Sequence, residues 1–150
     1  MNFAPLVPEY VTDLARSLDF YVGLLGFSVA HRRPDEGFAF LELGGAQLTL
    51  EQTESLEPSS AEDYENGRWR TGRLEPPLGR GVNFEVAVTS VAALADRLRG
   101  AEYPLLLRPQ EKTYRVGGQT VRVMRLLVAD PDGYLLRLSE TLSGAPVPNG

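Results

Sequence analysis

The chain has no cysteine, one histidine and one tryptophan among its 150 residues. Without cysteine it can form no disulfide, no thiolate metal site and no cysteine nucleophile. A lone histidine argues against triads and zinc sites that need an imidazole, often more than one. That residue, His31, sits between Ala30 and Arg32-Arg33 near an expected strand end. It reads as a surface or rim residue, with a catalytic role as the alternative. There is no basic-then-apolar leader, and no apolar run of about 18 residues. Secretion and membrane insertion therefore lack support, and a cytoplasmic location is expected. The net charge of −5 disfavours a general nucleic-acid role and attracts cations at long range. What is present is an ordinary globular composition, 43% apolar and 23% charged, enough for one compact unit or two fused halves.

The most informative stretch is Asp130-Pro131-Asp132-Gly133 followed by Tyr134 to Leu138. Pro131 and Gly133 predict a tight hairpin turn. Beyond it Tyr134, Leu136 and Leu138 alternate with Leu135, Arg137 and Ser139. An arginine opposite three large apolar groups must be solvated, paired or lining a cavity. The same layout occurs at Gly44-Gly45, where Ala46, Leu48 and Leu50 alternate with Gln47, Thr49 and Glu51.

The rest of the chain repeats around these two hairpins. Phe3 to Val11 predicts a proline-broken strand. Thr12 and Asp13 are both able to cap a helix whose stripe is Leu14, Leu18, Tyr21, Val22 and Leu25, stopped by Gly26. Strands follow at Phe27 to Arg33 and Phe38 to Leu43. In the second half, Val82 to Val88 predicts a strand. Ser90 caps a helix with the stripe Val91, Leu94, Ala95 and Leu98, ended by Gly100. Tyr103 to Arg108 and Val121 to Ala129 are further strands, with a possible hairpin tip around Gly117-Gly118. The expected fold is α+β: two βαβββ modules at 3–53 and 81–141, a connection at 54–80 and a tail at 142–150. The connection is polar and long for a structureless segment. It holds Trp69, flanked by Arg68 and Arg70, with Tyr64 nearby. A packed or interface anchor and a ligand-stacking ring are both open.

This order, with Leu18-Asp19-Phe20-Tyr21, Leu24-Leu25-Gly26-Phe27 and Asp130-Pro131-Asp132-Gly133-Tyr134, resembles the vicinal oxygen chelate superfamily. That group includes glyoxalases, extradiol dioxygenases and bleomycin-resistance proteins. The resemblance covers about residues 4 to 140 and implies curved mixed sheets, with sites often completed in a homodimer. It also implies that the positions where enzymes of the superfamily hold a metal are Leu6, Thr49, Asn83 and Arg137. Leu6 offers no donor, Thr49 and Asn83 are weak neutral donors, and Arg137 is a permanent cation. No metal and no cofactor are therefore expected, and the bleomycin-resistance branch is the nearest match. It implies a non-catalytic protein that sequesters a cationic aromatic compound at a dimer interface. A metal-dependent glyoxalase or dioxygenase is the alternative. The expected ligand-binding residues are Phe38, Phe40, Thr49, Glu51, Trp69, Asn83, Tyr114 and Arg137. Phe38 and Phe40 share a face with Glu42, which suits an aromatic, cationic guest or interface packing. Asp35 and Glu36 add rim charge. Glu51 and Glu85 either pair with Arg137 or, in a register shifted by two, become ligands for a hard cation.

Overall fold

The structure is a computed structural model, and residues 6–144 are described. Two βαβββ units make it up. In the first, β1 (Leu6–Val11) leads into α1 (Leu14–Leu18), then β2 (Ser28–Arg33), β3 (Phe38–Leu43) and β4 (Ala46–Gln52). Its sheet order is β1-β4-β3-β2, with β1 parallel to β4 and the other pairs antiparallel. After a connection containing the short helix α2 (Ala61–Glu65), the second unit follows. It comprises β5 (Asn83–Ala87), α3 (Val91–Gly100), β6 (Leu107–Val116), β7 (Gln119–Ala129) and β8 (Leu135–Ser143). Its order, β5-β8-β7-β6, again pairs the first strand in parallel with the last. The expected two-module fold is thus the observed one. The start of the first strand at Phe3 and residues 145–150 lie outside the described residues; of the tail expected at 142–150, Leu142 and Ser143 still belong to β8.

The duplication extends to single hydrogen bonds. Asp13 and Ser90 cap their helices, accepting from the backbone N–H of Arg16 and Ala93. In the same places Gln52 Oε1 accepts from Leu14 N–H at 2.9 Å, and Glu140 Oε1 accepts from Val91 N–H at 2.9 Å. Each last strand thus satisfies one orphan donor at the start of its own module's helix. Thr12 is not a cap. Its hydroxyl donates to Asp132 at 2.5 Å, and its backbone N–H to the same carboxylate at 3.1 Å.

Alternation places the core. Leu48, Leu50, Leu136 and Leu138 are almost wholly buried and face the helices, in one apolar cluster shared by both modules. Each such side chain contributes about 1.5–3 kcal/mol. The first helix departs from the predicted stripe. From Asp19 to Leu24 it widens into a π-helical segment, with Leu25 N–H bonded to Phe20 C=O five residues back. The wider turn rotates Phe20 and Tyr21 inward together. Val22, expected on the buried stripe, is 37% exposed. Phe20 then packs on Tyr103 of the second module at 4.9 Å between ring centres. Gly26 does stop the segment with a left-handed φ of 88°. Gly100 does not play that part: it is the last helical residue, and Glu102 takes the left-handed conformation at φ 56°. The strand expected from Tyr103 to Arg108 is corrected: residues 103–106 are not strand. The edge strand begins at Leu107 and runs on to the Gly117-Gly118 tip.

Each module's hairpin closes on the other module's first strand. The Tyr134 hydroxyl donates to the Tyr10 C=O at 2.8 Å. At the other end Gly44 lies so close to Ala87 that a Cβ would meet its carbonyl oxygen at 2.5 Å. Glu9 lies on the core face of β1, 3% exposed, beside Asp130. Tyr21 bridges the two acids, its hydroxyl 2.8 Å from Asp130 and 3.1 Å from Glu9. Burial, then the Asp130 charge, raises the Glu9 carboxyl from 4.5 to about 8. Burial also raises Asp130 and Tyr21. One arrangement satisfies all three groups. Tyr21 donates to ionised Asp130, and Glu9, carrying its proton, donates to the Tyr21 oxygen.

Candidate functional site

The residues not used by the core define each sheet's open face. On the first sheet these are Leu6, Pro8 and Tyr10 of β1, Gln47, Thr49 and Glu51 of β4, and Phe38, Phe40 and Glu42 of β3. On the second they are Asn83 and Glu85 of β5, Leu135, Arg137 and Ser139 of β8, and Arg125 and Leu127 of β7, with Leu107, Gln110 and Tyr114 of β6. The registers match: Leu6 pairs with Gln47 as Asn83 pairs with Leu135. Thr49 and Arg137 are therefore structural equivalents, each two residues beyond.

On the second sheet Arg137 donates to Asn83 Oδ1 at 2.7 Å and approaches Glu85 at 3.7 Å. Arg125, which the sequence reading did not single out, donates to Tyr114 at 2.8 Å and to Gln110 at 3.0 Å. Both guanidiniums border a cavity of about 180 Å³ walled by Leu107, Leu127, Leu135 and Asn83. So three expected residues, Asn83, Arg137 and Tyr114, share one face: Arg137 holds Asn83, and Tyr114 is held by Arg125 across the same cavity's edge. A usable signal existed. Arg125 and Leu127 alternate along β7 as Leu135 and Arg137 do along β8.

The other expected residues lie elsewhere. Phe40 and Thr49 are cross-strand neighbours on the first sheet and are buried, at 3% and 7% exposed. Phe38 is half-buried, with the Arg33 guanidinium 4.0 Å above its ring. This intramolecular cation occupies the aromatic surface expected for a guest. His31 is exposed, its ring 6.4 Å from Phe38. Glu51 borders a cavity of about 390 Å³ with Tyr10, Glu36, Glu54, Arg68 and Arg70. Its carboxyl is raised, by partial burial first. Of the two acids expected near Arg137, Glu85 is there and Glu51 is not.

Trp69 is 62% exposed, neither packed in the core nor lining the Arg137 cavity. Its backbone N–H donates to the Tyr10 hydroxyl at 2.7 Å, and its indole N–H to the Tyr64 C=O at 2.9 Å. The connection around it is built on Arg70, 5% exposed, which reaches Glu57 C=O at 2.7 Å and Asp63 at 3.4 Å. With α2 capped by Ser60, this gives the segment a structure the sequence reading did not foresee.

The donor set does not fit a metal. Leu6 has no donor atom, and Asn83 Oδ1 already accepts from Arg137. The Arg137 guanidinium brings positive charge where a dication would need a carboxylate. Among the described residues, no group of three or more His, Asp or Glu side chains is placed to hold an ion. The shifted register gains no support either, since Glu85 faces Arg137 while Glu51 faces Phe38 and Tyr10. Among the same residues no helix is long and apolar enough to cross a membrane.

No curated protein matches the chain. Solved structures do. TioX from Micromonospora sp. ML1 is 21% identical over 94% of this chain and 100% of its own, with a TM-score of 0.65. A glyoxalase/bleomycin resistance protein/dioxygenase from Nocardioides is 22% identical over 100% and 93%, with a TM-score of 0.62. Lactoylglutathione lyase from Agrobacterium tumefaciens is 17% identical over 93% and 94%, with a TM-score of 0.57. These likenesses speak for the fold. The sequence model described as the Glyoxalase/Bleomycin resistance protein/Dioxygenase superfamily matches residues 9–138. The chain belongs to that superfamily.

Proposed function

We propose that this protein binds a small molecule reversibly on the open face of its second sheet and carries out no metal-dependent step. The observation that carries this reading is Arg137, held by Asn83 and Glu85 at a position where enzymes of the fold would need a metal ligand. A cavity with an apolar floor and a few polar groups at its rim is the usual form of a ligand site. A homodimer in which a second copy covers the open faces is part of the proposal, because both faces carry partly exposed apolar side chains such as Leu6 and Leu107. Elemental analysis of the purified protein is the direct test. Less than a tenth of an equivalent of nickel, zinc or iron is expected; a tightly held stoichiometric metal would overturn the reading.

A second reading keeps the binding role and takes the guest to be a cationic aromatic of the bleomycin type. The cavity beside Glu51 is the place for it, since Tyr10 supplies a ring and the three acids Glu36, Glu51 and Glu54 outnumber Arg68 and Arg70 in its wall. Titration with metal-free and copper-loaded bleomycin checks this. Absence of heat from both at micromolar protein would reject that guest.

A further inference from the structure

We infer that the guest of the second sheet is an organic anion, a small apolar body bearing a carboxylate held between Arg125 and Arg137. This rests on the binding role proposed above and adds the charge of the ligand. Arg125 is the decisive group. It is half-buried, and its three N–H-bearing nitrogens go to Gln110 and Tyr114, both neutral. Among the described residues no carboxylate lies within ion-pair distance of it, whereas Arg122 on the opposite face of the same strand has Glu111 at 2.6 Å. Arg137 is only loosely compensated, by Glu85 at 3.7 Å. Two guanidiniums thus border one cavity, and among the described residues the single acid near either of them, Glu85, lies beyond Arg137 on β5.

A partly desolvated cation without a counter-ion is costly, and an anion entering the cavity supplies what the protein omits. The neutral partners orient the Arg125 fork without consuming its charge. Beneath the charges, Leu107, Leu127 and Leu135 offer an apolar surface to whatever carries the carboxylate. The cavity measures about 180 Å³. An apolar cavity of about 150 Å³ accommodates benzene, so the body is about the size of one six-membered ring. A cationic guest would meet two like charges here.

Benzoate, benzamide and benzylamine share that ring and differ in charge, so calorimetric titration of the whole protein with each is the test. Benzoate is expected to bind most tightly and benzylamine least. Arg125→Gln and Arg137→Gln should each weaken benzoate by about 10- to 100-fold, the range for hydrogen bonds to charged groups. Arg125→Lys should recover part of the loss, and Arg122→Gln should change nothing. If benzamide or benzylamine binds as well as benzoate and the Arg137 substitution still matters, the anion is overturned and the binding role stands. If none of the three binds, both fall.

Discussion

The two modules share a frame and differ on the faces that the frame presents. Each helix start is capped in the same way and tied by the last strand at the same register, through Gln52 in one and Glu140 in the other. At the equivalent site positions the first module has Leu6 and Thr49, while the second has Asn83 and Arg137. The first spans three basic and seven acidic residues between 6 and 52; the second spans eight and seven between 83 and 143. The open faces differ in the same direction. On the first, Phe40 and Thr49 are buried and Phe38 is covered by Arg33. On the second, two arginines stand over an apolar floor with little to neutralise them. The two modules agree at the positions that close the backbone and differ at the positions on their open faces.

The hairpins differ as well. Gly44-Gly45 turns with glycine alone, whereas the second hairpin turns on Asp130. That carboxylate accepts from Tyr21 and from the backbone N–H of Asp132 and Tyr134. Asp130→Ala should therefore give the largest loss, about 4–5 kcal/mol, because the backbone N–H groups of Asp132 and Tyr134 lose their acceptor and Tyr21 keeps only Glu9. Urea unfolding measures it, and a loss below 1 kcal/mol would mean that the two hairpins are equivalent after all. Glu9→Gln comes next, and its effect depends on pH. The Glu9 carboxyl titrates near 8 in the fold and near 4.5 unfolded. Between those values the native state holds the extra proton, so its stabilising effect is complete below 4.5 and lost as pH rises through 8. Wild type should lose roughly 4 kcal/mol from this group between pH 5 and 9. The glutamine variant, keeping a donor toward Tyr21 with no charge to bury, should lack that slope. Melting temperatures across the range decide it; parallel curves would contradict the buried proton. The smallest effect belongs to the paired helix ties. Glu140→Gln keeps the acceptor and removes only its charge at the start of α3, costing about 0.5 kcal/mol at low salt. The variant and wild type should converge in high salt, and unchanged salt dependence would remove the distinction from Gln52.

Much of the frame was legible because its causes are local. Alternation put Leu136 and Leu138 inward and Arg137 outward, and a side chain's face depends only on its own strand. The caps and the left-handed stop at Gly26 are likewise set within a few residues. The π-helical segment was not legible. It serves to turn Phe20 toward Tyr103, 83 positions away, and no helical stripe announces that. Glu9 escaped notice for a related reason. An acid among Val7 and Val11 looks like an error of register until Tyr21 and Asp130 are seen beside it.

For the site, the sequence by itself shows that Leu6, Thr49, Asn83 and Arg137, the positions the resemblance points to, hold no imidazole and no carboxylate, since that is a matter of residue identity. Which half-buried arginine has no carboxylate beside it among the described residues, which ring is already covered and which acid keeps its proton were decided by tertiary structure. Those properties belong to pairs of side chains brought together across strands and across the two modules. Charge compensation and desolvation act through space, so they exist only once the chain has closed on itself.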